Sequence, residues 1–174
     1  MKLLVLGIGN MLLTDDGVGV FAARTLMEET WPEGVDVREG GTFTQDIFYS
    51  FAGYSHLLVL DVVHAGGAPG SLYRLNEDDL IKDEKQRLSI HDIDLLDSLR
   101  MAELYFKKRM RMRVIGMEPA DYTTWNIGLS PACQAAFPAY LDLARREINS
   151  LFAAMSSEGT PDNTADTRAA APTA

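Results

Sequence analysis

Two stretches of this chain are apolar without alternation: residues 2–8, where Lys2 leads into LLVLGI, and residues 56–63, HLLVLDVV. A strand with one wet face alternates apolar and polar residues. A strand that does not alternate must be covered on both faces, as in a parallel sheet between layers of helices. The intervening patterns supply those helices. Over residues 17–30, Val18, Phe21, Ala22 and Leu26 share one face, and Glu28 and Glu29 stay off it. A helix beginning near Ser89 carries the stripe Leu95, Leu99, Ala102 and Phe106. A last helix opens with Ser130 as N-cap and Pro131 in its first turn, and its stripe of Phe137, Leu141, Ala144, Ile148 and Leu151 carries it to about residue 155. Pro138 inside that pattern is expected to kink it or delay its start.

Shorter signals fill in the rest. Residues 35–38 read as a strand stopped by Gly40-Gly41, and Thr44 as the cap of a helix over 45–53. Residues 71–75 form a strand joined to 56–63 by a loop too short for a crossover helix, so it pairs antiparallel or lies at an edge. Residues 76–88 read as polar and irregular, 111–117 as a further strand and 118–129 as a long loop. From residue 156 onward there is no large apolar residue and no period, the composition of a disordered tail. The expected architecture is a single α/β domain over 1–155, a three-layer sandwich in which a twisted, mostly parallel five-stranded sheet has helices on both faces, followed by the tail 156–174.

Charge narrows the partners. Sixteen Lys and Arg against 25 Asp and Glu give a formal net charge of −9, which repels nucleic acid and anionic membranes alike. No segment approaches the ~20 apolar residues needed to cross a bilayer. The first residues lack a full signal h-region and a small-residue cleavage site, so the expected location is the cytoplasm and the expected state a monomer. The single cysteine, Cys133, stands among alanines as a small packing residue, with no base near it in sequence to make it a nucleophile.

In parallel α/β sheets the functional groups gather at the carboxyl ends of the strands. The first such end reads GIGNMLLTDDG. Gly7 and Gly9 imitate a dinucleotide turn, but the third glycine is replaced by Leu12, and Asp15 and Asp16 stand where diphosphate charge would collect. No Gly-Lys-Ser/Thr follows either, so a phosphate-gripping loop is excluded. Carboxylates at a helix N-terminus suit a cation, or serve as plain caps. The second end is Asp61, closing a run that should be buried, where a carboxylate must be paired or bind a metal, unless it serves the turn that follows. The third is His91, in a first helical turn after Ser89, with His64 as rival through Asp61-x-x-His64 and His56 as a structural residue. Two carboxylates and an imidazole form a mixed O/N set suited to zinc, manganese, iron or nickel. Three protein ligands leave positions open for water or substrate.

In this order and spacing, LVLGIGNMLLTDDGVGV, EGGT at 39–42, LLVLDVV at 57–63, the His91 helix and VIGMEP at 114–119 resemble the hydrogenase maturation endopeptidases. The likeness runs from residue 1 to about 155, and its opening motif, G-x-G-N-x-x-x-x-D-[DE]-G-x-G, is far longer than a bare G-x-G. The resemblance implies a protease that removes a short C-terminal extension from the large-subunit precursor of a nickel–iron hydrogenase after nickel has been inserted. It implies a metal site of Asp16, Asp61 and His91, and it places Gly40, Gly41 and Thr42 in a loop beside the cleft. Nickel is then supplied by the precursor, with zinc or another divalent ion as a substitute in vitro. Catalysis is either metal-assisted or an acid–base reaction of Asp16 and Asp61 in the manner of an aspartic protease. Asp15 is expected to be a cap. The competing readings are a checkpoint protein that senses nickel in the same precursor without cutting it, and a general hydrolase acting on peptidyl-tRNA, which the acidic balance disfavours.

Overall fold

The computed structural model describes residues 1–42, 49–82 and 92–158. Five strands, β1 (Leu3–Ile8), β2 (Val35–Gly41), β3 (His56–Val62), β4 (Leu72–Asn76) and β5 (Arg111–Met117), form one sheet in the order β2-β1-β3-β5-β4. The pairs β1–β2, β1–β3 and β3–β5 are parallel, and β4 runs antiparallel to β5 at the edge. Every residue of β1 and of β3 is buried, which is why neither run alternates.

Among the described residues four α-helices flank the sheet: α1 (Val18–Met27), α2 (Glu77–Lys82), α3 (Asp92–Phe106) and α4 (Pro131–Glu158). Side chains of one parity, Leu3, Val5, Leu58, Leu60 and Val62, pack against Val18, Ala22 and Leu26 of α1 and Tyr140, Ala144 and Ile148 of α4. The other parity, Leu4, Leu6, Ile8, Leu57 and Val59, meets Leu95, Leu99 and Ala102 of α3. The sheet is therefore the middle of three layers, as the two unalternating runs require. Each fully buried Leu or Val contributes roughly 1.5–3 kcal/mol relative to exposure.

Several local expectations are corrected. β2 does not stop before Gly40-Gly41 but includes them, because pairing with β1 uses backbone alone, and its register shifts beside Ile8. The stretch expected to be irregular from 76 holds β4's last residue and α2, whose first turn carries Glu77, Asp78 and Asp79. Pro138 does not delay α4, which begins at Pro131 with the Cys133 N–H donating to Ser130 Oγ at 3.4 Å. Pro138 is on the exposed side, where solvent reaches the Gln134 carbonyl that proline cannot serve. α4 also carries on three residues past Met155, and residues 159–174 of the expected tail lie outside the described residues. Residues 45–48 of the helix expected over 45–53 lie outside them too, and residues 49–51 form a 3-10 turn rather than an α-helix. α4 is fastened to the sheet edge by Glu147, a buried carboxylate that pairs with Arg74 of β4 at 2.7 Å and with Arg113 of β5.

Candidate active site

β1 lies between β2 and β3. The chain leaves β1 for β2 through α1 on one face, and reaches β5 from β3 through α3 on the other. The carboxyl ends of β1 and β3 are thus where the strand order reverses, the place at which such sheets open a crevice. Both candidate aspartates stand there.

Asp16 belongs to a 3-10 turn, Thr14–Gly17, that precedes α1 and packs against β3. Two close approaches force that placement. Gly9 has φ 128°, and a Cβ on it would lie 1.8 Å from the Asp16 carbonyl oxygen. A Cβ on Gly19 would lie 2.0 Å from the Leu60 carbonyl oxygen, so only glycine lets α1 sit this near β3. The Asp16 carboxylate is 6% exposed, and its Oδ2 accepts the Asn10 N–H at 2.9 Å. Asn10 Oδ1 accepts the Leu12 N–H at 3.0 Å, ordering the same turn.

Asp61 sits in β3 opposite Gly116 of β5 and is 2% exposed. Its Oδ1 accepts the N–H of Val62 at 2.8 Å. It has the parity of Leu57 and Val59, which puts its side chain on the α3 face. Its backbone carbonyl, and that of Ile115, receive the hydroxyl of the fully buried Tyr140 at 3.3 and 2.9 Å. Burial first, and then the charge of Asp61, push that hydroxyl well above its ordinary range.

His91, the third expected ligand, lies outside the described residues, one position before the start of α3. Among the described residues no three His, Cys, Asp or Glu side chains form a group that could hold a metal ion. The rival His64 has its ring edge-on to Tyr122, with centroids 4.5 Å apart. His56 is buried at the start of β3, where Ser55 Oγ lies 3.0 Å from its Nδ1. Cys133 is fully buried, its thiol reaching the Glu118 carbonyl at 3.5 Å, and burial raises its pKa. It is the packing residue expected of it.

Asp15 is not a cap. It is fully buried, and its carboxylate accepts three backbone N–H groups from the loop before α4: Ala120 and Asp121 at 2.9 Å and Ser130 at 2.7 Å. No side chain caps α1. Nor are Gly40 and Gly41 loop residues, since both end β2. There the Gly41 carbonyl accepts the Gly9 N–H at 3.0 Å, which brings them, with Thr42 next in line, to the edge of the opening turn. One acid was missed. Glu118 is 7% exposed, and its Oε2 accepts the N–H groups of Ala65 and Gly67 and the hydroxyl of Tyr73, holding the loop after β3. The signal was available: like Asp61, it closes an apolar strand.

The site is therefore a crevice edge with two buried carboxylates, each oriented by a backbone N–H and backed by loops that other acids hold in place. That geometry suits cation binding or hydrolytic chemistry and suits no anion. Comparison with known proteins points to a family of proteases. Residues 20–147 match the family model described as hydrogenase maturation protease, a match that begins after Asp16. The hydrogenase 2 maturation protease of Escherichia coli K12 is 28% identical over 144 residues, 82% of this chain and 87% of that protein. The hydrogenase expression/formation protein HupD of Rhodobacter capsulatus is 30% identical over 149 residues, 84% of this chain and 71% of that protein. Among solved structures, the hydrogenase maturating endopeptidase HybD of E. coli superposes with a TM-score of 0.73 at 27% identity, covering 91% of this chain and 94% of that one.

Proposed function

The chain belongs to the hydrogenase maturation protease family, and from that premise we propose how its own residues do the work. It is an endopeptidase that processes the large-subunit precursor of a nickel–iron hydrogenase. In the proposed reaction it removes a short C-terminal extension in the cytoplasm, once nickel is in place. Among the described residues no helix is long and apolar enough to cross a membrane.

The observation that carries the proposal is the pair of buried carboxylates, Asp16 in the turn that follows β1 and Asp61 near the end of the adjoining β3, where the sheet order reverses. The loaded precursor is the substrate, and its nickel arrives with it. Asp16, Asp61 and His91 are the proposed ligands, a donor set of hard oxygens and one imidazole that accepts nickel, with zinc as a substitute in vitro. The bound ion supplies Lewis acidity toward the scissile carbonyl or toward water. The chain contributes orientation. The N–H groups of Asn10 and Val62 fix the two carboxylates before substrate arrives, and a fixed site spends less of the docking energy on ordering itself. Gly40, Gly41 and Thr42 flank the path of the extension. Hydrolysis adds water across the peptide bond, and the extension leaves with the amino end so formed.

The test is intact-mass measurement of nickel-loaded and nickel-free precursor after incubation with the purified chain. Loss of a C-terminal peptide from the loaded sample alone is the expected result. Equal cutting of both would replace the nickel-dependent reaction by an acid–base reaction of Asp16 and Asp61. Cutting of neither would overturn the proposal.

A further inference from the structure

The loop between β5 and α4 is stitched to the opening turn. The Asn126 N–H donates to the Leu12 carbonyl and the Thr14 N–H to the Asn126 carbonyl, both at 3.0 Å, and Leu13 and Asn126 form a parallel bridge. The Thr14 hydroxyl reaches the Thr124 carbonyl at 2.9 Å, and the Asp15 N–H reaches the Asp121 carbonyl at the same distance. Leu12 precedes the bridge on one segment, and Trp125 and Ile127 flank Asn126 on the other. These three large apolar side chains are 46%, 77% and 72% exposed. A backbone fastened across the bridge thus carries all three to solvent, and Leu12 stands four residues before Asp16.

The two segments that carry them have one sign of charge. Residues 3–23 and 114–144 contain no Lys or Arg, while they hold Asp15, Asp16, Glu118, Asp121 and Asp142. The hydrogen bond from the Thr124 side chain, and then the N–H groups of Thr123 and Thr124, hold the Asp121 pKa at about 2, so it is ionised at working pH. A second copy of this chain, with the same acidic segments and the same net charge of −9, would be repelled. A basic partner is attracted. Exposed Trp on a preorganised frame is the residue type that anchors protein interfaces, because little freedom remains to be lost.

We propose that Leu12, Trp125 and Ile127 form a platform that docks the precursor through an apolar side chain flanked by basic residues, beside the bond to be cut. The inference rests on the proposed function for the identity of the precursor, and the experiment separates the two. The chain has two tryptophans. Trp31 is half-buried, its indole N–H donating to the Leu26 carbonyl at 2.7 Å. Chain labelled with 5-fluorotryptophan gives one fluorine resonance for each, with Trp31 as internal control. Titration with nickel-loaded precursor should shift or broaden the Trp125 resonance and leave Trp31 in place, and high salt should weaken the effect. The Trp125→Ala/Ile127→Ala variant should raise KM for the precursor at least about 10-fold with kcat within about 2-fold, the split expected of lost uniform binding. The milder Asp121→Asn should raise KM in the same direction by less. Cleavage at normal KM in the double variant, or cleavage with the Trp125 resonance unmoved, overturns the platform and leaves the protease reading standing. Neither cleavage nor a shift overturns both. A Trp125 shift on concentrating the chain alone overturns the inference in favour of self-association.

Discussion

Asp15 and Asp16 are neighbours in sequence with separate tasks. Asp15 is enclosed and spends its carboxylate on three N–H groups of a loop more than 100 residues away in sequence. Asp16 is fixed by the N–H of Asn10 at the crevice edge. The Asp15→Ala chain leaves three donors without their anion, a loss of about 3 kcal/mol. Thermal melting should fall by roughly 6–12 °C. Asp16→Ala and His91→Ala should do the reverse, keeping the melting temperature within a few degrees while lowering the rate of precursor processing at least about 100-fold, the scale of losing one electrostatic contact to the reacting centre. Melting followed by circular dichroism and rate assays on the same preparations check both statements. Nothing in the pair DD tells these roles apart, because Asp15's partners are backbone groups that carry no side-chain signature. Asp61 and Glu118 are more legible, since each closes an apolar strand, but the partners of Glu118 lie in the loop after another strand and leave no mark beside it in sequence.

At the level of elements, the fit of α1 over the β1–β3 seam depends on Gly19. A methyl group there would sit 2.0 Å from a backbone oxygen that cannot move away. Gly19→Ala should leave the chain unfolded, or drive α1 off the sheet with loss of Asp16's position, as proteolysis and circular dichroism would show. α4 is tied to the same sheet by the Tyr140 hydroxyl. Because its folded pKa lies well above 10.0, the hydroxyl keeps its proton in the fold while the unfolded chain ionises. Its contribution is complete below about pH 10 and is lost as pH rises beyond that value. The denaturant midpoint should stay level from about pH 8 to 10 and then fall. Tyr140→Phe should cost about 1 kcal/mol at neutral pH and make the alkaline fall shallower. Some fall remains, because burial raises Tyr54 and Tyr73 as well. The sequence announced β1, β3 and β5 because their side chains are buried and apolar. It hid the last residues of β2, which pair through glycine backbone, and it hid α2, whose six residues lack an apolar stripe and begin with three acids.

Taken whole, the molecule gathers its proposed working carboxylates at one end of the sheet. The order β2-β1-β3-β5-β4 reverses at β1 and β3, and the loops after β1, β3 and β5 are locked at that end by Asp15 and Glu118. The rest of the chain holds that arrangement. Residues 159–174 carry no large apolar residue, and their removal should change neither the melting temperature nor the processing rate. The central claim, that Asp16 and Asp61 are the working carboxylates of a hydrogenase maturation protease, is tested most directly by intact-mass analysis of nickel-loaded precursor incubated with the unaltered chain, with Asp16→Ala and with Asp61→Asn. The account predicts loss of the C-terminal peptide with the unaltered chain and an uncut precursor with both variants. Full cutting by either variant would contradict it.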